Sequence, residues 1–453
     1  MKIKLAAILM ILAMLLGVAA CNGGGNGNDS GSVSDGGGSA SDGSGSSNDG
    51  GEGSAAVESI TLNVWHSFID EGETSRITSD EFIAEYMAAN PHIKIVEETL
   101  ESESYKIKID MEFTGSASGI DVFTYWGGGR GGDIYNAGKL LNFEDYLSPG
   151  EIAQILPEAD LNFRYDGALG ALPLTSWMMV LYCNTELFEQ YNVKLPETYD
   201  EWKAACIAFD AAGIIPVALG GGLDESWQAA FAYEALINRI VGADATMDLL
   251  SSMSGFNSNP GYVKAAELMV ELNSVNAFGR NPLEIDYETA NAQFFTGIAA
   301  MRLTGSWLTG DIDEEHNLSG KVKPMPIPLV PGGNGSATDY VGGIIDGVFI
   351  NANTKYPEES VKFAYAWSLA LAKAQHEAGE GFTPYTAPVD ESDYSDLAKE
   401  VSAIAKNVGA GVLAWDTFLP GADADVHLNA CQMLLKPNAD IPAVLSEYNK
   451  IFN

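Results

Sequence analysis

An α/β fold is predicted by three features of the sequence. Strand-like alternation and helix-like spacing of apolar residues follow one another along residues 57–453. The first strand, helix and strand together occupy about 40 residues, the size of a βαβ unit, which implies a parallel sheet with a right-handed crossover. The chain has 453 residues, 46% of them hydrophobic, long enough for two such sheets with separate cores.

In order along the chain, Val57 to Trp65 alternates as a strand, with Ile60, Leu62 and Val64 on one face. Ser79-Asp80 offers a cap for a helix that presents Phe82, Ile83, Tyr86 and Met87 and ends at Pro91. Ile93–Val96 and Ile120–Tyr125 read as strands, and Ala171–Tyr182 as one extended apolar stretch. Thr198-x-x-Glu201 is a capping box opening a helix through Trp202, Ala205 and Phe209. Ile214–Leu219, Ile298–Leu303 and Val348–Ile350 are further strands. Asn291–Phe295 and Ser360–Ala372 are helical, the latter carrying Phe363, Trp367 and Leu371.

The N-terminus has a different character. Lys2 and Lys4 precede an apolar run over 5–16, too short to span a bilayer core of about 30 Å and the right length for a signal peptide. Val18-Ala19-Ala20-Cys21 resembles a bacterial lipobox, which implies cleavage after residue 20 and a lipid on Cys21. Residues 22–56, almost entirely Gly, Ser, Asn and Asp, have no pattern that builds a core and read as a tether of about 30–35 Å.

Charge and motif content exclude several functions. The chain carries −38, and −40 without Lys2 and Lys4 (22 basic against 62 acidic residues). Such a surface repels nucleic acid, phosphosugars and anionic lipid heads. Gly127-x-Gly129-x-x-Gly132 fits a dinucleotide fingerprint in spacing, but no helix start or later acidic residue completes it. His376-Glu377 lacks a second histidine, five scattered histidines give no zinc spacing, and no nucleophile elbow occurs. No cofactor or metal is implied. Cys183, Cys206 and Cys431 read as buried free thiols.

Several stretches in order along 57–453 resemble one family, the extracellular solute-binding proteins of ABC importers, of the sugar-binding, maltose-binding-protein-like type. They are Ile60–His66, Asn90–Val96, Ile120–Trp126, Ala137–Leu141, Gly170–Pro173, Tyr182–Phe188, Pro196–Trp202, Phe294–Met301 and Gly305-Ser-Trp307. Ile120, Cys183 and Gly129 depart from the family pattern. The resemblance implies a type II fold of two lobes, 57–175 plus 330–392 and 176–329 plus 393–453. Hinge crossings then fall near Leu174–Ser176, Pro328–Gly333 and 390–393, with a ligand cleft between the lobes. It also implies a carbohydrate ligand, permease subunits as partners, a monomer, contact with the membrane through the lipid alone, and no catalysis. A surface glycoside hydrolase is the competing class, since two carboxylates about 5–9.5 Å apart across a cleft leave no sequence motif.

A sugar site needs aromatic faces for the C–H patches of pyranose rings and polar groups for the hydroxyls. Trp202 and Trp367 lie on helix faces and read as core. Trp65 and Trp126 end strands, where open α/β sheets bind ligands. By resemblance, Trp126 and Arg130 fall in a ligand loop, Trp177 in a hinge, Asp224, Glu225 and Trp227 after the Gly220–Gly222 loop, and Trp415 in a late aromatic segment. The resemblance also implies that Trp307 is a stacking platform. His66, Asp70 and Asp346 complete the candidate set.

Overall fold

A computed structural model describes residues 59–453 apart from 70–71, 223–224, 315–317, 319, 387 and 453. The signal segment, Cys21, the tether, Asp70 and Asp224 lie outside the described residues.

The elements used below are β1 (Ile60–His66), α1 (Thr74–Ala89), β2 (Ile93–Thr99), α2 (Ser102–Thr114), β3 (Val122–Trp126) and α3 (Gly128–Asn136). They continue with β4 (Ala171–Pro173), β5 (Ser176–Asn184), α4 (Tyr199–Ala211), β6 (Ile215–Ala218), α5 (Ser226–Ile240), α6 (Tyr287–Phe295) and β7 (Ala299–Gly305). The last are β8 (Val322–Met325), β9 (Asp339–Ile344), β10 (Asp346–Ile350), α7 (Pro357–Glu377), α8 (Asp396–Ala405), β11 (Ala410–Val412) and α9 (Gly421–Leu434).

The first sheet has the order β2-β1-β3-β10-β4. β1 runs parallel to β2 and β3, as the βαβ reading requires, while β10 is antiparallel to both of its neighbours. Ile60, Leu62 and Val64 all turn into the core, and Thr61 between them is exposed. The second sheet has the order β11-β9-β5-β7-β6, with β8 also on β5. β5 is apolar nearly throughout because helices cover both faces. Trp177, Met179, Leu181 and Cys183 enter one core, and Met178, Val180 and Tyr182 enter another on the opposite face.

Local signals survive well. Thr198 and Glu201 form the reciprocal capping box of α4. Trp202 and Trp367 are fully buried, and Cys183, Cys206 and Cys431 are free and buried. The first helix is a correction: it begins at Thr74, not at Ser79-Asp80. Ser79 is buried inside α1, where its hydroxyl accepts from the Trp367 indole N–H of α7 at 3.2 Å. A tertiary partner thus removes it from capping.

The chain passes between the sheets at Leu174-Thr175, which cuts the predicted stretch Ala171–Tyr182 into β4 and β5. The second passage is at Ile345, between β9 and β10, rather than at Pro328–Gly333. The Pro/Gly-rich segment instead folds back onto the second half. Leu329 bridges to Thr198, and the N–H of Gly335 donates to the Arg239 carbonyl of α5 at 3.1 Å. A Cβ on Gly335 would lie 2.1 Å from the Asn238 carbonyl, so glycine here serves close packing, not hinging. Residues 330–344 therefore belong with the second sheet. The third passage follows Thr386, bonded to Gln154 beside the first sheet, and precedes Ser395, which caps α8 on the second half. That interval contains 390–393. Among the described residues no helix is long and apolar enough to cross a membrane.

Candidate functional site

Three tryptophans from separate elements meet where the two sheets adjoin. Trp177 stands one residue into β5, immediately after the first passage. Its indole N–H donates to Asp346 Oδ2 at 3.1 Å, and Asp346 opens β10 just after the second passage. One hydrogen bond therefore ties two interlobe segments. Trp307 sits in the Ser306–Leu308 turn that ends β7, and its N–H donates to the Tyr287 hydroxyl at 2.8 Å. Trp227 lies in the first turn of α5, its N–H donating to Glu225 Oε2 at 2.6 Å.

The rings are contiguous. Trp307 meets Trp177 edge-on at 5.1 Å and lies tilted against Trp227 at 6.0 Å. Phe231, one turn after Trp227 on α5, stacks on Trp177 at 5.4 Å, and Tyr287 lies 5.7 Å from Trp227. Edge-on and tilted contacts among the three indoles stabilise the cluster while leaving more ring face uncovered than stacking would, although Phe231 covers one face of Trp177. Trp227, Trp307 and Tyr287 are half-buried, so the cluster is not sealed.

The first lobe supplies the facing groups. Trp126 ends β3 and is paired in register with Asp346. Lys106 of α2 places Nζ 4.8 Å over its ring. Lys106 is buried and bonded to Glu103 at 2.7 Å and to Asp416, from the Trp415–Phe418 turn of the second half, at 3.4 Å. Glu101 caps α2 by accepting from the backbone N–H groups of Glu103 and Ser104.

These groups shift one another. Burial pushes the Glu225 carboxyl up to about 8, and the charges of Glu101 and Glu103 add to that rise. Burial pushes Asp346 up to about 6, with the Trp177 hydrogen bond opposing and Asp416 adding. At neutral pH Glu225 is therefore largely protonated. The arrangement offers apolar faces edged by carboxyl and phenol groups, suited to a neutral, hydroxyl-rich ligand.

Six of the predicted residues come together here: Trp126, Trp177, Glu225, Trp227, Trp307 and Asp346. Others do not. Trp415 is fully buried in the second core, stacked on His427 at 5.1 Å and edge-on to Phe452, so it is a packing residue. Its neighbour Asp416 makes the interlobe contact instead. His66 is also fully buried, its Nδ1 accepting from the Phe68 N–H and its ring lying 5.6 Å from Trp367. Trp65 is buried in the first core, with Lys108 Nζ 4.1 Å over its ring. Arg130 is buried and donates from Nε to the Asp416 carbonyl at 2.9 Å, which makes it a clamp on that turn.

The glycine motif is a second correction, because a helix, α3, does open within it. A Cβ on Gly129 would lie 2.3 Å from the Leu419 carbonyl carbon. The loop is packed against its own chain, with no room for a side chain at residue 129. Among the described residues no group of three or more His, Cys, Asp or Glu is placed to hold a metal ion.

Lys106, Glu101, Glu103, Phe231, Tyr287 and Asp416 were not anticipated. Only Phe231 carried a local signal, its i,i+4 spacing from Trp227 on one helix face.

The profile for bacterial extracellular solute-binding proteins matches residues 72–370. The chain belongs to that family. A probable sugar-binding periplasmic protein of Mesorhizobium japonicum is 23% identical over 316 residues, covering 68% of this chain and 70% of that protein. A multiple sugar-binding protein of Streptococcus mutans is 24% identical, covering 57% and 63% respectively. Among solved structures, one from a study of xylan utilization by Caldanaerobius polysaccharolyticus superposes with a TM-score of 0.81 at 29% identity, covering 86% of this chain and all of that one. A chitin oligosaccharide binding protein superposes at 0.77 with 21% identity, covering 87% and 99%. The solute-binding protein thus has the two-lobed type II fold that the sequence implied.

Proposed function

We propose that this solute-binding protein captures a sugar or oligosaccharide at the cell surface and delivers it to the permease of an ABC transporter. The observation that carries this reading is the indole cluster of Trp177, Trp227 and Trp307, in which each N–H is fixed by Asp346, Glu225 or Tyr287. Ring faces for pyranose C–H patches and carboxyl groups for hydroxyls then stand side by side. The family membership and the sugar-binding descriptions of two relatives support it. Binding is expected to draw the lobes together about the three passages, a population shift toward a closed form that the permease recognises. In this reading the chain is a monomer without catalytic activity, held at the extracellular face of the membrane by a lipid on Cys21 and the tether behind it.

The test is titration calorimetry against a panel of neutral oligosaccharides, with product analysis of the same samples. Stoichiometric binding without new products supports a receptor. Turnover establishes a hydrolase, and absence of any binding removes the carbohydrate reading. Cys21→Ser, expected to shift the protein from the membrane to the soluble fraction, tests the anchor separately.

A further inference from the structure

The groups around the indole cluster are carboxyls drawn from both lobes, of which Glu225 is held largely protonated by burial. Glu101 and Glu103 stand at the start of α2, Asp346 at the start of β10, Asp416 in the turn before α9 and Glu225 at the entry to α5. They form one connected set. Glu103 and Asp416 share Lys106, Asp346 lies beside Trp126 and holds Trp177, and Glu225 holds Trp227 while the charges of Glu101 and Glu103 act on it.

Lys106 is the cation whose ammonium pairs with carboxylates of this set, and it is already committed to two of them and to the Trp126 face. Arg130 gives its Nε to a backbone carbonyl. Arg302 lies 5.2 Å from the Tyr287 ring, its guanidinium bonded to Asn291 and to the Ala218 and Leu303 carbonyls. Both arginines are buried, Arg302 fully and with its Nη2 unpartnered, and Arg130 is bound to the Asp416 turn, so Lys106 is the cation paired with these carboxylates.

We propose that this cleft admits sugars without an anionic group and turns away their uronate-bearing counterparts, through the carboxylates that ring the indole cluster. The inference rests on the carbohydrate reading. Neutral hydroxyls donate to carboxylates at no charge cost. A uronate carboxylate enters a site edged by carboxylates whose paired cation, Lys106, is already engaged, and like charges brought together in a desolvated interface carry a steep penalty. The rings add nothing for an anion, since a π face repels negative charge and attracts positive.

The experiment uses titration calorimetry on the chain from residue 22 onward at pH 7. Neutral xylo-, gluco- and galacto-oligosaccharides are each paired with a counterpart in which one ring carries a carboxylate, offered as free acid and as methyl ester. Each free acid is expected to bind about tenfold or more weakly than its neutral counterpart. The ester should recover part of that loss, and the acid-to-ester ratio should shrink as salt rises. In Glu103→Gln the same ratio should fall, a comparison within one protein that is insensitive to altered stability. A free acid that binds within threefold of its neutral counterpart overturns the inference while leaving the receptor intact. Equal weakening of acid and ester also overturns it, because the exclusion is then steric. If no neutral sugar binds, the carbohydrate reading has failed and this inference falls with it.

Discussion

The cleft tryptophans and the core tryptophans of the second lobe form an internal comparison. Trp177, Trp227 and Trp307 each donate an indole hydrogen bond to an acidic or phenolic partner. Trp202 and Trp415 are fully buried, and neither indole nitrogen has a partner. A core accepts an unpaired indole N–H when ring packing outweighs the lost bond, about 1–3 kcal/mol for such a group. A ring that must hold a fixed attitude beside solvent needs the bond, because packing on one side alone does not orient it. Within this lobe the acidic or phenolic N–H partner separates platform from filler, whereas in the first lobe the core Trp367 donates to the Ser79 hydroxyl.

The largest effects separate the two groups directly. Trp415→Ala should cost about 3–5 kcal/mol of stability, as expected for an emptied core site, while affinity per folded molecule stays nearly constant. Trp307→Ala should lower affinity about 30-fold or more, with a smaller loss of stability because the ring is only half-buried. Paired thermal melts and titration calorimetry check both, and the comparison breaks if the two variants exchange phenotypes.

A subtler change tests orientation. Tyr287→Phe keeps the ring and removes the acceptor of the Trp307 N–H. Affinity should fall about 3- to 10-fold with a modest change in melting temperature, the scale of one hydrogen bond. Unchanged affinity would show that packing alone sets the Trp307 ring.

Protonation sharpens the same point. Glu225 sits at about 8 in the folded chain, well above an ordinary carboxyl. Below the ordinary value both states hold the proton, and nothing changes with pH. Between the ordinary value and about 8 the unfolded chain releases the proton and the folded chain keeps it, so stability falls as pH rises through that window. Asp346, at about 6, adds a fall over a lower and narrower window. Glu225→Gln should flatten the upper part of the slope of melting temperature against pH, while the Gln carbonyl still accepts from Trp227. An unaltered slope would place the proton elsewhere.

The smallest effect is expected at Trp65, where Lys108 covers the ring outside the indole cluster. Lys108→Ala should leave ligand affinity within about twofold, a surface charge change of little energetic weight. A larger loss, measured by calorimetry, would restore Trp65 to the site.

Much of this protein was determined by sequence alone, for a local reason. Strand alternation in Ile60–Val64, the capping box at Thr198 and Glu201, and the end-of-strand positions of Trp126 and Trp307 depend on residues close together in the chain. The order of those motifs identified the family. Tertiary structure decided what depends on distant partners. Ser79 stopped being a cap because Trp367 reached it from α7. The Pro/Gly-rich segment stopped being a hinge because α5 lay against it, and the second passage moved to Ile345. Trp415 and Asp416 are adjacent, yet one is sealed beside His427 and the other meets Lys106 across the lobes. A turn points successive side chains in different directions, and only the packed neighbours determine which of them meets the cleft.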